Sequence, residues 1–179
     1  MAIGGNHLIH AARRNLDIMA LIINNQNYGM TGGQYSPTTP VGSRASTALY
    51  GQIEPTFDVG VLCEASGAAF VARSTVYHVD QMEKLMLQAM THPGFSVLEV
   101  LSPCYTNFGR QNRLGSHIEM MKDLKTSSIP FSRWEKMTES ERGDYFATGV
   151  LVDRDRPRYL DSYRRVCETA ARMKAEGKV

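Results

Sequence analysis

The residues whose types most clearly suggest chemistry are neighbouring amides that follow a short apolar run. Leu21, Ile22 and Ile23 have the pattern of a buried strand, and Asn24 and Asn25 follow at once. A loop rich in glycines and hydroxyls then continues to residue 40. This arrangement is typical of a ligand site at the carboxyl edge of an α/β sheet. Amide oxygens can bind a hard cation such as Mg²⁺, although an asparagine-rich turn would also have this composition.

The elements that would position this loop alternate between helix and strand. They are predicted, in chain order, as helix 7–14, strand 17–23, helix 58–66, strand 68–72, helix 78–92, strand 95–101 and helix 158–175. Asn6 and Asp58 are expected to cap the first two helices, and Asp80 with Glu83 forms a pattern like a capping box. Gly67 is expected to end the second helix.

This alternation predicts an α/β fold, with a parallel sheet flanked by helices. The first strand is almost continuously apolar, which is typical of a strand covered on both faces. Beyond Arg110 the pattern becomes polar and irregular until the last helix. We therefore expect a domain over residues 1–110 and a C-terminal extension over 111–179.

Composition excludes several classes of protein. The chain has 179 residues, 42% of them hydrophobic, and a net charge of +2, so neither a nucleic-acid surface nor an acidic tail is indicated. No apolar run approaches the roughly 18 residues that a membrane span needs. Three widely separated cysteines do not form a disulfide framework. A cytoplasmic protein without membrane or nucleic-acid partners is expected.

The amide loop resembles the second half of the thiamine diphosphate motif, which ends in Asn-Asn at a strand end. The longer string resembles the β subunits of 2-oxoacid:ferredoxin oxidoreductases, particularly the 2-oxoglutarate branch, and it reads Asn24-Asn25-Gln26-Asn27-Tyr28-Gly29-Met30-Thr31-Gly32-Gly33-Gln34 with Ser36-Pro37-Thr38-Thr39. The resemblance runs from Met1 to about Arg110 and implies a thiamine-diphosphate-binding fold.

The resemblance also implies roles for single residues. Asn25 would bind Mg²⁺ through its side-chain oxygen, and Asn27 through its main-chain carbonyl. Met30 would support the thiazolium ring from below. The implied cofactor-binding residues are Gly4, Asn6, His7, Asn25, Tyr28, Gly29, Met30, Thr31 and Gly32. Some relatives have lysine at the position of Gly32. This chain therefore departs from their pattern in the loop that is expected to approach the substrate.

Cys104 follows the third predicted strand, in the string Ser102-Pro103-Cys104-Tyr105-Thr106. In the resembling family, three cysteines from the N-terminal region and a fourth in a Pro-Cys at this position hold a [4Fe-4S] cluster. The resemblance therefore implies that Cys104 is a cluster ligand, whereas a lone cysteine is ordinarily a small buried apolar residue. Cys63 and Cys167 are interpreted as small apolar residues of this kind, without a role as ligands.

The family places Gly-Asp-Gly, whose aspartate binds the metal, upstream of the match that begins with Ala2-Ile3-Gly4. Because the chain begins inside that match, the fold is expected to be N-terminally incomplete and the chain alone inactive. A misassigned start, a broken gene and a fragment are all consistent with the composition.

The implied activity is oxidative decarboxylation of 2-oxoglutarate to succinyl-CoA with reduction of ferredoxin. The implied cofactors are thiamine diphosphate, Mg²⁺ and a [4Fe-4S] cluster, and the implied partners are an α subunit, ferredoxin, a 2-oxoacid and coenzyme A. No catalytic acid or base is assigned, since the resemblance places the activating glutamate on the α subunit. The alternatives are a pyruvate or broad 2-oxoacid enzyme, a non-oxidative thiamine diphosphate decarboxylase or synthase, and an inactive truncated interface module.

Overall fold

A computed structural model of the chain describes residues 3–178, so Met1, Ala2 and Val179 lie outside the described range. Its strands are β1 Met19–Asn24, β2 Asn27–Tyr28, β3 Gln34–Tyr35, β4 Phe70–Thr75, β5 Ser96–Leu101, β6 Ser128–Pro130 and β7 Phe146–Asp153. Its α-helices are α1 Gly5–Arg14, α2 Val59–Ala65, α3 Val79–Thr91, α4 Arg110–Asn112, α5 His117–Thr126, α6 Phe131–Trp134, α7 Glu139–Arg142 and α8 Tyr159–Ala175. A π-helical turn over Tyr105–Gly109 leads into α4.

The main sheet has five strands in the order β1-β5-β4-β7-β6. Strands β1, β5 and β4 are parallel, as predicted, and β7 runs antiparallel to β4. Both faces carry apolar packing. Val71 and Val97 pack on the side of α1 and α2, whereas Phe70 and Leu98 pack on the side of α3. The α/β fold with a mostly parallel sheet is confirmed.

The predicted helices are all present, and each begins within two residues of its predicted start. Helix α2 is capped by the Asp58 side chain, which accepts a hydrogen bond from Val61 N at 2.9 Å, as expected. The cap predicted at Asn6 is wrong, because α1 begins at Gly5, two residues before the predicted start, and Gly4 occupies the cap position. The capping pair at Asp80 is also wrong, since α3 begins at Val79 and its cap residue makes no side-chain hydrogen bond.

The prediction that the first strand is covered on both faces is wrong. Strand β1 lies at the edge of the sheet, and Leu21 and Ile23 are exposed. These two side chains share the sheet face on which α3 packs over β4 and β5, because Leu21 pairs in register with Leu98 and Ile23 with Val100. An apolar edge strand of this kind could pair with a further strand.

The region expected to be irregular beyond Arg110 contains strand β7, which lies beside β4 in the main sheet. Gly149 interrupts its apolar run, and a register shift between Val71 and Ala72 accommodates the pairing. The division of the chain at residue 110 stays a prediction, and the sheet itself continues across it. In residues 3–178 no helix is long and apolar enough to cross a membrane.

Asn15 joins three parts of the fold through one buried side chain. Its Oδ1 accepts a hydrogen bond from Phe95 N at 2.8 Å, and its Nδ2 donates to the carbonyls of Arg156 and Pro157 at 3.1 and 3.2 Å. Asn15 also adopts a left-handed backbone conformation, with φ of 52°, which asparagine tolerates better than most residues.

We expect Asn15→Ala to destabilise the protein by about 3 kcal/mol, because the buried Phe95 N–H loses its acceptor and alanine is disfavoured at this φ. Urea unfolding followed by circular dichroism measures the change. Gln88→Ala, which removes an exposed amide from α3, is the matched control and should leave stability within about 0.5 kcal/mol. Equal stability of the two variants would contradict this role for Asn15.

Candidate functional site

The carboxyl end of β1 opens into a cavity of about 740 Å³. This volume lies within the range of small-molecule and cofactor sites. The sequence-predicted residues that line it are Asn6, Asn25, Asn27, Tyr28, Gly29, Met30 and Thr31, whereas Gly4, His7 and Gly32 do not. Most of the predicted site residues are therefore brought together around one cavity.

The N-terminus of α1 borders the same cavity through Gly5 and Asn6. Among the described residues no side chain caps this helix end, and there is open space around Gly4 and Gly5. Free main-chain N–H groups and the positive end of the helix dipole make such a terminus suitable for an anion. The cavity therefore offers amide oxygens from the loop after β1 and amide N–H groups from α1.

Asn25 and Asn27 supply the least satisfied polar atoms of this site. Asn25 Oδ1 accepts one long hydrogen bond of 3.4 Å from Asn27 N. The Asn27 side chain is only 5% exposed, yet its Oδ1 has no hydrogen-bond partner among the described residues. Buried polar atoms without partners are costly unless a ligand or water satisfies them. The amide oxygens of the loop fit a hard cation, and the free N–H groups of α1 fit an anionic group bound to that cation.

Gly29 lets three of the predicted site side chains converge. A Cβ atom at this position would lie 3.2 Å from Cys104 Sγ, 3.4 Å from Asn25 Nδ2 and 3.5 Å from Asn27 Oδ1. A Cβ atom here would therefore crowd the Cys104 sulfur and contact both amides. The amide loop and the cysteine after β5, which are 75 or more residues apart in the sequence, share one corner of the site.

The loop is held against the π-helical turn by Asn107, whose Nδ2 donates to Gly29 O at 2.8 Å. Gly33 permits this approach, because its φ is +82° and an added Cβ would lie 2.8 Å from Asn107 Cβ. Met30 at the loop tip is fully exposed, so its support of a thiazolium ring stays a prediction.

The environment of Cys104 favours a thiolate. Burial raises the pKa of its thiol, but hydrogen bonds from the main-chain N–H groups of Phe108 and Asn107 lower it, and the net pKa lies below the ordinary value. Cys63 is the opposite case, since burial, Glu99 and Asp58 raise its pKa to about 12. A thiolate is the form that binds metals, so only Cys104 of these two suits that role.

Alkylation of the cluster-free protein should distinguish these cysteines. A lowered pKa means more thiolate at a given pH, so Cys104 should react with iodoacetamide at lower pH than it does in urea-unfolded protein. Cys63 should stay unmodified near pH 8 until the protein unfolds. Peptide mass spectrometry across pH 6–9 measures both, and early labelling of Cys63 would contradict the assignment.

Cys104 is the one thiol at this corner within residues 3–178, and no three His, Cys, Asp or Glu side chains lie together there to hold a metal. A [4Fe-4S] cluster takes four thiolates, so any cluster at Cys104 would draw the others from outside the described residues.

One wall of the cavity was missed in the sequence. It is apolar and is formed by Ile9 of α1, Phe57 before α2, and Val59 and Leu62 of α2. The cap at Asp58 indicated a helix here but gave no sign of which strand edge it faces. A helical face becomes part of a site only through tertiary packing, which a local pattern does not encode.

Comparison with known proteins identifies the class. Residues 1–100 match the family described as thiamine pyrophosphate enzyme, C-terminal TPP binding domain, and the chain belongs to that family. Among individual proteins, it is 46% identical over 160 residues to the 2-oxoglutarate synthase subunit KorB of Methanothermobacter marburgensis, covering 89% of this chain and 56% of the relative. The match to the Methanocaldococcus jannaschii KorB is 41% over 167 residues, covering 93% and 62%.

A solved structure agrees in fold. The 2-oxoglutarate:ferredoxin oxidoreductase from Magnetococcus marinus, with 2-oxoglutarate, coenzyme A and succinyl-CoA bound, superposes with a TM-score of 0.78 at 25% identity, covering 95% of this chain and 58% of that chain. The resemblance drawn from the amide motif is thus confirmed. The chain spans between about half and two thirds of the length of these relatives.

Proposed function

We propose that this chain is part of the β subunit of a 2-oxoglutarate:ferredoxin oxidoreductase and carries its thiamine diphosphate site. The observation that supports this most strongly is the cavity at the carboxyl end of β1, which Asn25 and Asn27 line together, with the buried Oδ1 of Asn27 lacking a hydrogen-bond partner among the described residues. The identity to KorB subunits supports the 2-oxoglutarate branch in particular.

In this proposal Asn25 Oδ1 and the main-chain carbonyl of Asn27 bind Mg²⁺. The N-terminus of α1 stabilises the diphosphate, since free N–H groups and the helix dipole favour negative charge. Bound thiamine diphosphate supplies an electron sink for decarboxylation. The apolar side chains of Phe57 and Leu62, which line the same cavity, would exclude water from the part that they cover.

Cys104 is the proposed ligand of a [4Fe-4S] cluster. Its sulfur lies at the same corner as the two asparagines, which supports a short path for electrons leaving the cofactor. The lowered pKa of its thiol suits a ligand that must be deprotonated. The proposed partners are an α subunit, coenzyme A and ferredoxin in a cytoplasmic complex, with the α subunit providing the glutamate that activates the cofactor.

The test is an assay of the assembled complex with 2-oxoglutarate or pyruvate, each with coenzyme A, thiamine diphosphate, Mg²⁺ and ferredoxin. The expected result is ferredoxin reduction with the larger kcat/KM for 2-oxoglutarate. A larger value for pyruvate would overturn the substrate assignment. Decarboxylation of both acids without ferredoxin reduction would favour a non-oxidative thiamine diphosphate enzyme.

A further inference from the structure

A buried carboxylate lies beneath the amide loop and is not used by the proposed chemistry. Glu99, in the middle of β5, is 3% exposed, and its Oε2 accepts a hydrogen bond from Arg73 Nε at 2.6 Å. Arg73 is itself buried and also donates to Asp58 Oδ1 at 2.9 Å. A buried charge must be paired and hydrogen-bonded to persist in a fold. Arg73 satisfies only one of the two Glu99 oxygens.

The second oxygen of Glu99 fixes the orientation of the first amide of the motif. Glu99 Oε1 accepts a hydrogen bond from Asn24 Nδ2 at 2.7 Å. Because an ionised carboxylate can only accept, the amide nitrogen of Asn24 must face Glu99. Asn24 Oδ1 therefore faces the loop, where it accepts from Thr38 Oγ1 at 2.8 Å and from Gln26 N at 3.0 Å.

These two contacts shape the turn between Asn25 and Asn27. Gln26 has a φ of 63°, a left-handed conformation that non-glycine residues adopt rarely without support. Asn24 Oδ1 stabilises that turn, because its hydrogen bond from Gln26 N closes an Asx turn. Thr38, on the other arm of the loop, is tied to the same oxygen. The direction of the Asn25 side chain thus depends on how the Asn24 amide is oriented.

We propose that Glu99 is a positioning residue for metal-bound diphosphate, acting through Asn24 to hold the turn that presents Asn25 and Asn27. The inference rests on the proposed thiamine diphosphate site. The two oxygens of Glu99 have separate tasks: Oε2 pairs with Arg73 in the core, and Oε1 orients the loop. An ion pair that served stability alone would not require the contact to Asn24.

Two single substitutions break this arrangement in opposite ways. Glu99→Gln keeps an oxygen for Arg73 but turns an NH₂ group toward the NH₂ group of Asn24, so two donors meet. Asn24→Asp leaves the Arg73–Glu99 pair in place but sets two carboxylates against each other. When both substitutions are combined, the amide at position 99 can donate to the carboxylate at position 24, whose other oxygen still accepts from Thr38 and Gln26. The exchange therefore restores the pattern with the same net charge.

The experiment measures the Kd of thiamine diphosphate by calorimetry at saturating Mg²⁺, using the complete protein with its partner subunits. The Kd of each single variant should be at least about tenfold higher than that of wild type. The Kd of the double variant should lie within about threefold of the wild-type value. Glu64→Gln, which alters an exposed ion pair with Arg154, is the control and should bind as wild type does. Thermal unfolding of the cofactor-free proteins separates stability from affinity.

The outcomes are distinct. Wild-type protein without Mg²⁺-dependent binding of thiamine diphosphate would overturn the proposed function and this inference with it. Wild-type binding with unchanged affinity in Asn24→Asp, or no recovery in the double variant, would overturn the positioning role alone. If Glu99→Gln does not fold, Asn24→Asp still decides the question, because it leaves the buried Arg73–Glu99 pair intact.

Discussion

Asn25→Ala in the complete protein is expected to abolish Mg²⁺-dependent binding of thiamine diphosphate, with affinity reduced by at least about 100-fold. Mg²⁺ demands near-octahedral coordination and uses few protein oxygens, so the loss of one leaves the diphosphate charge poorly neutralised. Among the described residues, the Asn25 side chain makes no hydrogen bond beyond the long one from Asn27 N. Its removal should therefore leave the fold intact.

Calorimetry with and without Mg²⁺ measures this effect. Asn25→Asp keeps an oxygen ligand and should retain metal-dependent binding, whereas Gln88→Ala, far away on α3, should behave as wild type. Unchanged circular dichroism would show that the loss belongs to the site. An Asn25→Ala protein that bound the cofactor as wild type does would mean that the motif has been misread.

Cys104→Ala in the assembled complex is expected to lower bound iron and to block ferredoxin reduction. A cluster that lacks one of four thiolates is labile, and Cys104 Sγ lies beside Gly29 of the amide loop. The first release of carbon dioxide at each site should persist, because decarboxylation requires the thiamine site, whereas the oxidation that completes turnover requires the cluster.

Cys167→Ala is the matched control, since Cys167 is exposed on α8 and does not line the cavity. Iron content, the visible spectrum and ferredoxin reduction should all match wild type in this variant. Full iron content and full turnover in Cys104→Ala would contradict the role as a cluster ligand and would mean that Cys104 is a structural residue beside Gly29.

Local patterns predicted the parts of the fold that are specified locally. The amphipathic spacing of residues 79–91 and the capping aspartate at position 58 gave α3 and α2 close to their observed bounds. The Asn24–Asn25 string identified the loop that lines the cavity after β1, because amides, glycines and hydroxyls favour the turns that this loop makes.

What the sequence did not predict depends on tertiary contacts. The exposure of Leu21 and Ile23 follows from the edge position of β1, which their apolar character does not reveal. Strand β7 was missed because Gly149 and polar neighbours weaken its pattern, and pairing with β4 overrides that weakness. The contact of Glu99 with Asn24 was also unforeseeable, since it spans 75 residues between two strands.

The most direct test of the site is a crystal structure of the complete protein with thiamine diphosphate and Mn²⁺ in place of Mg²⁺. Anomalous scattering locates Mn²⁺ independently of any interpretation of the loop. We expect one peak within coordination distance, about 2.0–2.3 Å, of Asn25 Oδ1 and the Asn27 main-chain oxygen, with the diphosphate facing the N-terminus of α1. A peak bound elsewhere, or a diphosphate that does not approach Asn25, would contradict the assignment of this cavity.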